Sequence, residues 1–206
     1  MPTATIARKR RTVRRPWRRL QFRVPELSRR YTYDELCEVM EETNLPHELW
    51  DGELIMSPTP DFTHQRIVGI IFRELQDFVA ARDVGEVILS PFDMVLAPRR
   101  SFQPDVLYLS KAKLHLIQKI LRGPADLVVE VMSEWGRRRD RIDKRDIYAQ
   151  HGIPEYWIVD PEARSVDVLT LEKGEYRLAG RAGAGETARS VLLDGFTLEV
   201  GRLFNA

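Results

Sequence analysis

The chain has 206 residues, of which 43% are apolar and 31% are charged, a composition typical of an ordinary soluble protein with one core. No apolar run approaches the roughly 20 residues that a membrane-spanning helix needs, so a membrane protein of that kind is not expected. The single cysteine, Cys37, excludes an intrachain disulfide and favours a reducing, cytoplasmic location.

The net charge of +1 hides an uneven distribution of charge. Residues 1–30 contain eleven Lys or Arg and one acid, Glu26, whereas the remainder is strongly acidic. We therefore predict a basic, disordered arm over 1–30 and one domain over 31–206. A cationic arm of this kind favours contact with a polyanion, most often nucleic acid. A targeting peptide, a start-site artefact and a tail that only aids solubility stay open as alternatives.

The first half of the domain predicts two helices and two pairs of strands. Apolar spacing of three and four residues indicates the helices, and short β-branched runs bounded by turn residues indicate the strands. In chain order these are a helix from Thr32 or Asp34 to about 42, two strands within 47–56 around Asp51-Gly52, a helix of about 61–82, and a strand pair formed by 86–97 and 103–109.

The second half continues the alternation of helices and strands. The predicted elements are a short helix near 111–121, a strand at 126–132, a helix of about 138–150 that ends before Gly152, a strand at 155–161, a hairpin of 165–171 with 175–180, and a last pair of short strands before Phe204. The order predicts an α/β (α+β) fold, in which helices pack on a central mixed sheet.

Two acids lie in apolar strands of this predicted sheet. Asp105 precedes a Val-Leu-Tyr-Leu run, and Glu130 follows a Leu-Val-Val run. A buried carboxylate is costly unless it is paired, hydrogen-bonded or bound to a metal. Because adjacent strands lie about 4.8 Å apart, the two carboxylates are placed to share one hard cation. Structural hydrogen bonds at the strand ends are the alternative.

Magnesium is the cation that this pair suits best, with Mn²⁺ as an alternative. Mg²⁺ takes oxygen ligands and commonly binds one or two carboxylates together with waters and a phosphate. Lys144, on the helix that follows Glu130, could orient a metal-bound water or stabilise charge on a phosphate. A Lys144→Ala change is expected to reduce turnover while leaving folding and metal binding nearly intact.

The paired acids and a wider set of motifs resemble a known nuclease family. Gln103-Pro104-Asp105 with Leu127-Val128-Val129-Glu130-Val131 resembles the paired-acid motif of the PD-(D/E)XK nuclease superfamily. The remaining motifs resemble its Uma-two type of restriction endonuclease, and they lie at 48–54 (ELWDGEL), 64–65 (HQ), 91–93 (PFD), 138–140 (RRD), 144–148 (KRDIY) and 155–161 (EYWIVDP).

The resemblance implies a restriction-endonuclease-like core and a metal-dependent endonuclease that hydrolyses DNA, commonly as a homodimer. In the superfamily a lysine normally follows the second acid by two residues, but that position is Met132 here. The resemblance therefore implies that the lysine has moved to Lys144. A catalytically idle nucleic-acid-binding protein that keeps the fold is one alternative, and a role without nucleic acid is another.

Further residues are candidates for supporting roles. The resemblance places Glu48 near the metal, although a strand-end ion pair with an arginine is equally compatible. His64 borders the apolar face of its helix, either as a partly buried histidine or as a phosphate contact or proton acceptor near the site. Arg138 and Arg139 are predicted to bind nucleic acid, or to be a solvated helix start. Tyr148 is predicted to contact either phosphate or the surroundings of Glu130.

Asp160, between Val159 and Pro161, ends a predicted strand. An aspartate at such a position commonly accepts hydrogen bonds from the backbone of the next turn. We therefore predict a structural role for Asp160.

Overall fold

A computed structural model of the chain describes residues 25–26, 28–40, 46–133 and 142–204. None of the helices in these ranges is both long and apolar enough to cross a membrane. The helices are α1 (Tyr33–Val39), α2 (Phe62–Arg82), α3 (Lys144–Gln150) and α4 (Gly201–Phe204). The strands are β1 (His47–Trp50), β2 (Glu53–Met56), β3 (Gly85–Leu89), β4 (Met94–Ala97), β5 (Arg100–Phe102), β6 (Val106–Ser110), β7 (Leu121–Arg122), β8 (Leu127–Val131), β9 (Glu155–Asp160), β10 (Ser165–Glu172), β11 (Glu175–Gly183), β12 (Thr187–Arg189) and β13 (Thr197–Glu199).

The largest sheet has six strands in the order β11-β10-β9-β8-β6-β3. Its neighbours are antiparallel except β8 and β9, which are parallel. This mixed sheet confirms the predicted fold class. A second sheet of five strands, in the order β2-β1-β5-β4-β7, packs against it and was not predicted. The two-stranded sheet β12-β13 completes the strand pairing described.

Helix α2 covers one face of the six-stranded sheet. Asp61 caps its first turn, because the Oδ1 atom accepts a hydrogen bond of 2.8 Å from the backbone N–H of His64. Ile67, Ile71 and Leu75 recur at helical spacing and are buried against the valines of β6 and β8. The cap and the apolar face together fix where the start of α2 lies relative to the sheet.

The opposite face of the six-stranded sheet packs on α3 and on the five-stranded sheet. Alternate strand residues point to opposite faces, so Leu107 and Val128 lie on this second face. Tyr148 of α3 is fully buried there and meets Phe102 edge-on, with 5.7 Å between the ring centroids. The central strands are thus covered on both faces, which explains their nearly continuous apolar sequences.

The predicted single strand over 86–97 is wrong, because the chain crosses between the two sheets in this segment. Strand β3 pairs with β6 in the six-stranded sheet, whereas β4 pairs with β5 in the five-stranded sheet. Pro91 lies between β3 and β4 and has no N–H with which to continue a ladder. Pro104 lies between β5 and β6, and the predicted partner strand at 103–109 begins only at Val106.

Two predicted helices also differ from the structure. A 3₁₀-helix, Lys111–Leu116, and the short strand β7 replace the helix predicted near 111–121. Only Leu114 and Leu116 of this 3₁₀-helix pack against the apolar cluster, and neither is fully buried, so it has little of the packed apolar face on which helix stability mainly depends. Helix α3 begins at Lys144, and residues 138–141 of the predicted helix lie outside the described residues. Gly152 follows its end in the left-handed region, with a φ of 73°, as predicted.

Candidate functional site

A cavity of about 670 Å³ opens at the edge of the six-stranded sheet where β6 begins and β8 ends. Its walls also include the beginning of β1, the beginning of α2 and the segment that joins β2 to α2. The structure brings five of the predicted site residues to this cavity, namely Glu48, His64, Asp105, Glu130 and Lys144.

The two acids of the predicted pair lie side by side at this edge. Val106 is paired with Val129 in the antiparallel ladder of β6 and β8, and one further step places Asp105 opposite Glu130. The neighbouring strand holds Asp105 in position, because its Oδ2 accepts a hydrogen bond of 2.7 Å from the backbone N–H of Val131. Both carboxylates therefore reach the same cavity from neighbouring strands.

Lys144 lies between two glutamates. Its Nζ is 2.9 Å from Oε1 of Glu130 and 2.8 Å from Oε1 of Glu48. The three side chains are between 5% and 9% exposed, so they form a buried ionic triad. The expectation that a Lys144→Ala change leaves folding nearly intact is wrong, because the lysine is buried rather than on a helix surface. Removing it would take away a cation that contacts two buried carboxylates, which is costly.

Met132, two residues after the second acid, is 3% exposed and belongs to the apolar cluster beneath the cavity. The position at which the resembled superfamily carries its lysine is therefore an apolar position in this chain. The ammonium group that lies beside Glu130 is instead that of Lys144, from α3.

Tyr148 and Trp50 hold the two glutamates of the triad in place. The hydroxyl of Tyr148 donates a hydrogen bond of 2.8 Å to Oε1 of Glu130. The indole N–H of Trp50 donates one of 3.0 Å to Oε2 of Glu48. Burial and, second, the charge of Glu130 raise the pKa of Tyr148 well above its ordinary value. The hydroxyl therefore stays protonated and can donate this hydrogen bond.

Of the two contacts predicted for Tyr148, the structure supports the one with the surroundings of Glu130. The predicted contact with phosphate is wrong, because the side chain is completely buried behind the cavity wall. The physical reason is that this face of α3 packs on the central sheet, where the ring meets Phe102 and Tyr156.

His64 reaches the cavity from α2, on the other side of the sheet edge. Its Nε2 lies 3.2 Å from Oδ2 of Asp105, and its side chain is 12% exposed. Burial lowers the pKa of His64, but the hydrogen bond and charge of Asp105, together with the Val131 backbone, outweigh it and leave the pKa above its ordinary value. The imidazole thus supports Asp105, and a contact with phosphate remains a prediction.

The remaining predicted residues divide into two groups. Arg138 and Arg139 lie outside the described residues, so their predicted contacts with nucleic acid stay predictions. The structural role predicted for Asp160 is confirmed, because its Oδ1 accepts backbone hydrogen bonds of 3.0 Å each from Glu162 and Ala163.

A chain of three polar residues behind the cavity was not predicted as part of the site. Gln103 lines the cavity, and its Nε2 donates a hydrogen bond of 2.8 Å to Oδ1 of Asp93. The hydroxyl of Tyr33 donates one of 2.6 Å to Oδ2 of the same aspartate. Asp93 and Gln103 belong to motifs that carry the family resemblance, so the sequence did hint at their role. Nothing in the sequence linked Tyr33 to the site, because its contact spans 60 residues of chain.

Among the described residues that line the cavity, the charged side chains are predominantly acidic. Five carboxylates face one ammonium group, that of Lys144, and the imidazoles of His47 and His64 also line the wall. Such a wall repels a phosphate until a cation reverses its sign. The acids are Glu48, Asp61, Asp105, Glu130 and Glu162.

The cavity offers a pair of carboxylates rather than an enclosed set of metal ligands. Among the residues in the described ranges, no three His, Cys, Asp or Glu side chains are grouped closely enough to hold a metal ion. Asp105 and Glu130 are the residues that could hold an oxygen-binding divalent cation, whose shell waters and phosphate oxygens would complete.

Comparisons with known proteins agree with this architecture. Residues 30–201 match the sequence pattern of the family Uma2, described as "Putative restriction endonuclease". The fold is similar to the crystal structure of "a putative nuclease belonging to DUF820" from Anabaena variabilis ATCC 29413. The TM-score is 0.71 at 17% sequence identity, over 84% of this chain and 97% of that chain, so the likeness concerns the fold alone. No curated protein sequence matches the chain.

Proposed function

Because the chain belongs to the Uma2 family of restriction-endonuclease-like proteins, we propose that it is a metal-dependent endonuclease that hydrolyses phosphodiester bonds in DNA. The observation that supports this most is the acidic cavity, in which two opposed carboxylates lie beside a buried lysine. Paired carboxylates with a nearby cation are the groups that metal-assisted hydrolysis of a phosphodiester requires.

Asp105 and Glu130 would hold the divalent cation. When bound, Mg²⁺ would supply a Lewis acid and lower the pKa of a coordinated water. The hydrogen bond that Asp105 accepts from Val131, together with its close contact with the His64 imidazole, fixes its carboxylate at the cavity edge. Tyr148 fixes Glu130 in the same way, so both acids are oriented before a ligand arrives.

Lys144 would stabilise the negative charge that develops on the phosphate during cleavage. Its ammonium group lines the cavity and is held by Glu48 and Glu130 at hydrogen-bonding distance. In a low-dielectric wall a fixed cation acts more strongly than the same charge in water. Glu48 is then a positioning residue, because it contacts the lysine and is itself oriented by Trp50.

The direct test is incubation of the purified protein with DNA and RNA in the presence of Mg²⁺, Mn²⁺ or EDTA. We expect DNA cleavage with either metal and none with EDTA. Asp105→Asn, which keeps the side-chain shape, should lose cleavage. Cleavage in EDTA, or equal cleavage by Asp105→Asn, would contradict the proposal. Binding of DNA without cleavage in any metal would favour the catalytically idle alternative.

Metal binding can be measured without activity. A ligand that binds only the folded state stabilises it by about 2.7 kcal/mol at 100 times its Kd. A Mg²⁺ titration should therefore raise the midpoint of thermal unfolding of the wild type and have little effect on Asp105→Asn. An equal shift in both proteins would show that the ion binds elsewhere.

Deletion of residues 1–24 is expected to weaken DNA binding and leave turnover at saturating DNA unchanged. The deleted segment carries nine Lys or Arg and no acid, so it can displace counterions from a phosphate backbone. The slope of log K against log salt should flatten by about 0.9 for each phosphate that is no longer neutralised by the arm. Binding measured over a salt series checks this, and an unchanged slope would exclude a contact role for the arm.

A further inference from the structure

An exposed aromatic residue lies in the chain between two residues that line the cavity. Phe62, the first residue of α2, is 83% exposed. Its chain neighbours Asp61 and Thr63 both line the cavity. Met56, 43% exposed at the end of β2, lies at the other end of the same segment and adjoins Ser57, which also lines the cavity.

Phe62 stands out among the exposed apolar residues. Across the described ranges it is the most exposed of the large hydrophobic side chains, and the others are aliphatic. The later apolar positions of α2, such as Ile67 and Ile71, face the core, whereas Phe62 faces solvent. Because Asp61 caps the helix at this point, the ring is attached to a rigid element beside the site.

The apolar surface here is small and has polar surroundings. Between Met56 and Phe62 the rim is formed by Ser57, Pro58, Thr59, Pro60 and Asp61. A stable protein interface needs about 800 Å² from each partner, which two side chains cannot supply. A single planar ring is instead matched in size and chemistry to one nucleobase, because every base has a π-face that can stack on an aromatic side chain.

We propose that Phe62 stacks on an unpaired nucleobase next to the phosphate that enters the cavity. The inference rests on the proposed function and names the substrate more closely, as a single-stranded or locally opened nucleic acid. In an intact duplex the faces of interior bases are covered by their neighbours, so the ring would have no partner there. Phe62 is thus a residue for substrate recognition and takes no part in the chemical step.

The test compares binding to three probes under conditions that prevent cleavage, with Ca²⁺ in place of Mg²⁺. The probes are a short thymidine oligonucleotide, an abasic strand with the same number of phosphates, and the thymidine strand paired with its complement. We expect Phe62→Ala to weaken binding of the thymidine strand by about tenfold, which corresponds to about 1.4 kcal/mol. Phe62→Trp should bind it as well as the wild type.

Two controls separate stacking from other effects. The abasic strand should bind equally to the wild type and to Phe62→Ala, since it offers charge without bases. Leu178→Ala removes another exposed apolar side chain, 55% exposed on the edge strand β11, and should change nothing. Thermal unfolding of each variant confirms that it is folded.

Equal binding of the thymidine strand by the wild type and by Phe62→Ala would overturn the inference. A loss of the same size with the abasic strand would do so as well. Self-association that is abolished in Phe62→Ala, with DNA binding unchanged, would assign the ring to a protein contact instead. If the wild type cleaves DNA in Mg²⁺ while Phe62→Ala binds normally, only this inference fails. If the wild type binds no probe, the proposed function fails with it.

Discussion

Replacement of Lys144 by methionine is expected to reduce cleavage strongly and to destabilise the fold at the same time. Methionine keeps most of the side-chain volume but removes the charge between Glu48 and Glu130. Breaking a buried ion pair by removing one partner typically costs about 3–5 kcal/mol. Loss of an electrostatic donor to the transition state typically costs on the order of 10²–10³ in rate. Single-turnover cleavage and chemical denaturation measure the two effects separately.

A double variant separates the structural role of Lys144 from its catalytic role. Adding Glu48→Gln to Lys144→Met removes the charge of one of the two carboxylates that contacted the lysine, so part of the missing stability should return. Cleavage should stay low, because the ammonium group of Lys144 is still missing. If Lys144→Met cleaves as fast as the wild type, Lys144 does not carry this role, and Arg139 and Arg141 become the first candidates. Recovery of cleavage in the double variant would show that the loss was one of folding alone.

Glu155→Ala is expected to have the second-largest effect, and this effect concerns stability only. Glu155 begins β9 and is completely buried. Its two carboxylate oxygens accept four hydrogen bonds, each of 2.7 Å, and it does not line the cavity. The donors are the indole N–H of Trp157, the hydroxyl of Ser190 and the backbone N–H groups of Val191 and Leu192.

Three of these four bonds tie the segment after β12 to the central sheet, so alanine would release that segment and leave the Trp157 N–H unpaired. Hydrogen bonds to charged groups contribute about 1.5–3 kcal/mol each, and released donors regain water. We expect a net loss of about 4 kcal/mol in the free energy of unfolding, measured by urea denaturation. The folded fraction should cleave at the wild-type rate.

Glu175→Ala is the matched control for Glu155→Ala. Glu175 is also a strand glutamate, but its side chain is 75% exposed and pairs with Arg177 at 3.5 Å. Exposed pairs of this kind contribute little, so the change should stay within about 0.5 kcal/mol. Equal losses for the two variants would show that the hydrogen bonds of Glu155 do not stabilise the fold.

Two acids of the site could be found in the sequence because each is a charged residue within an apolar strand. Asp105 and Glu130 are charged residues in apolar strands, and such an exception requires a compensating partner. Glu48 was found through the family resemblance alone. For Tyr148 the sequence left two contacts open, because its bond to Glu130 spans 18 residues and exists only once α3 has packed on the sheet.

The burial of Lys144 could have been predicted from its spacing to Tyr148. The two residues lie four positions apart and therefore share one face of α3, the face that packs on the central sheet. An aromatic side chain at that spacing favours burial of its neighbour. Replacing a lysine on a helix surface normally costs little stability, but the position of Lys144 on α3 indicates the interior.

The main features of the fold followed from local signals, whereas the division into two sheets did not. The Asp51-Gly52 turn and the face of α2 are encoded within a few residues of chain. Strand pairing is a long-range property, and the run at 86–97 is apolar on both sides of Pro91. The proline marks a break, but it does not show that the strands on its two sides join different sheets.

The buried triad joins three parts of the fold that are distant in the chain. Glu48 lies on the five-stranded sheet, Glu130 on the six-stranded sheet and Lys144 on a helix between strands β8 and β9. The pair of Lys144 with Glu130 needs only α3 and the six-stranded sheet, whereas the pair with Glu48 also needs the five-stranded sheet in place. Under the proposed function, the site would therefore be complete only after the two sheets have docked, so folding and activity would be coupled.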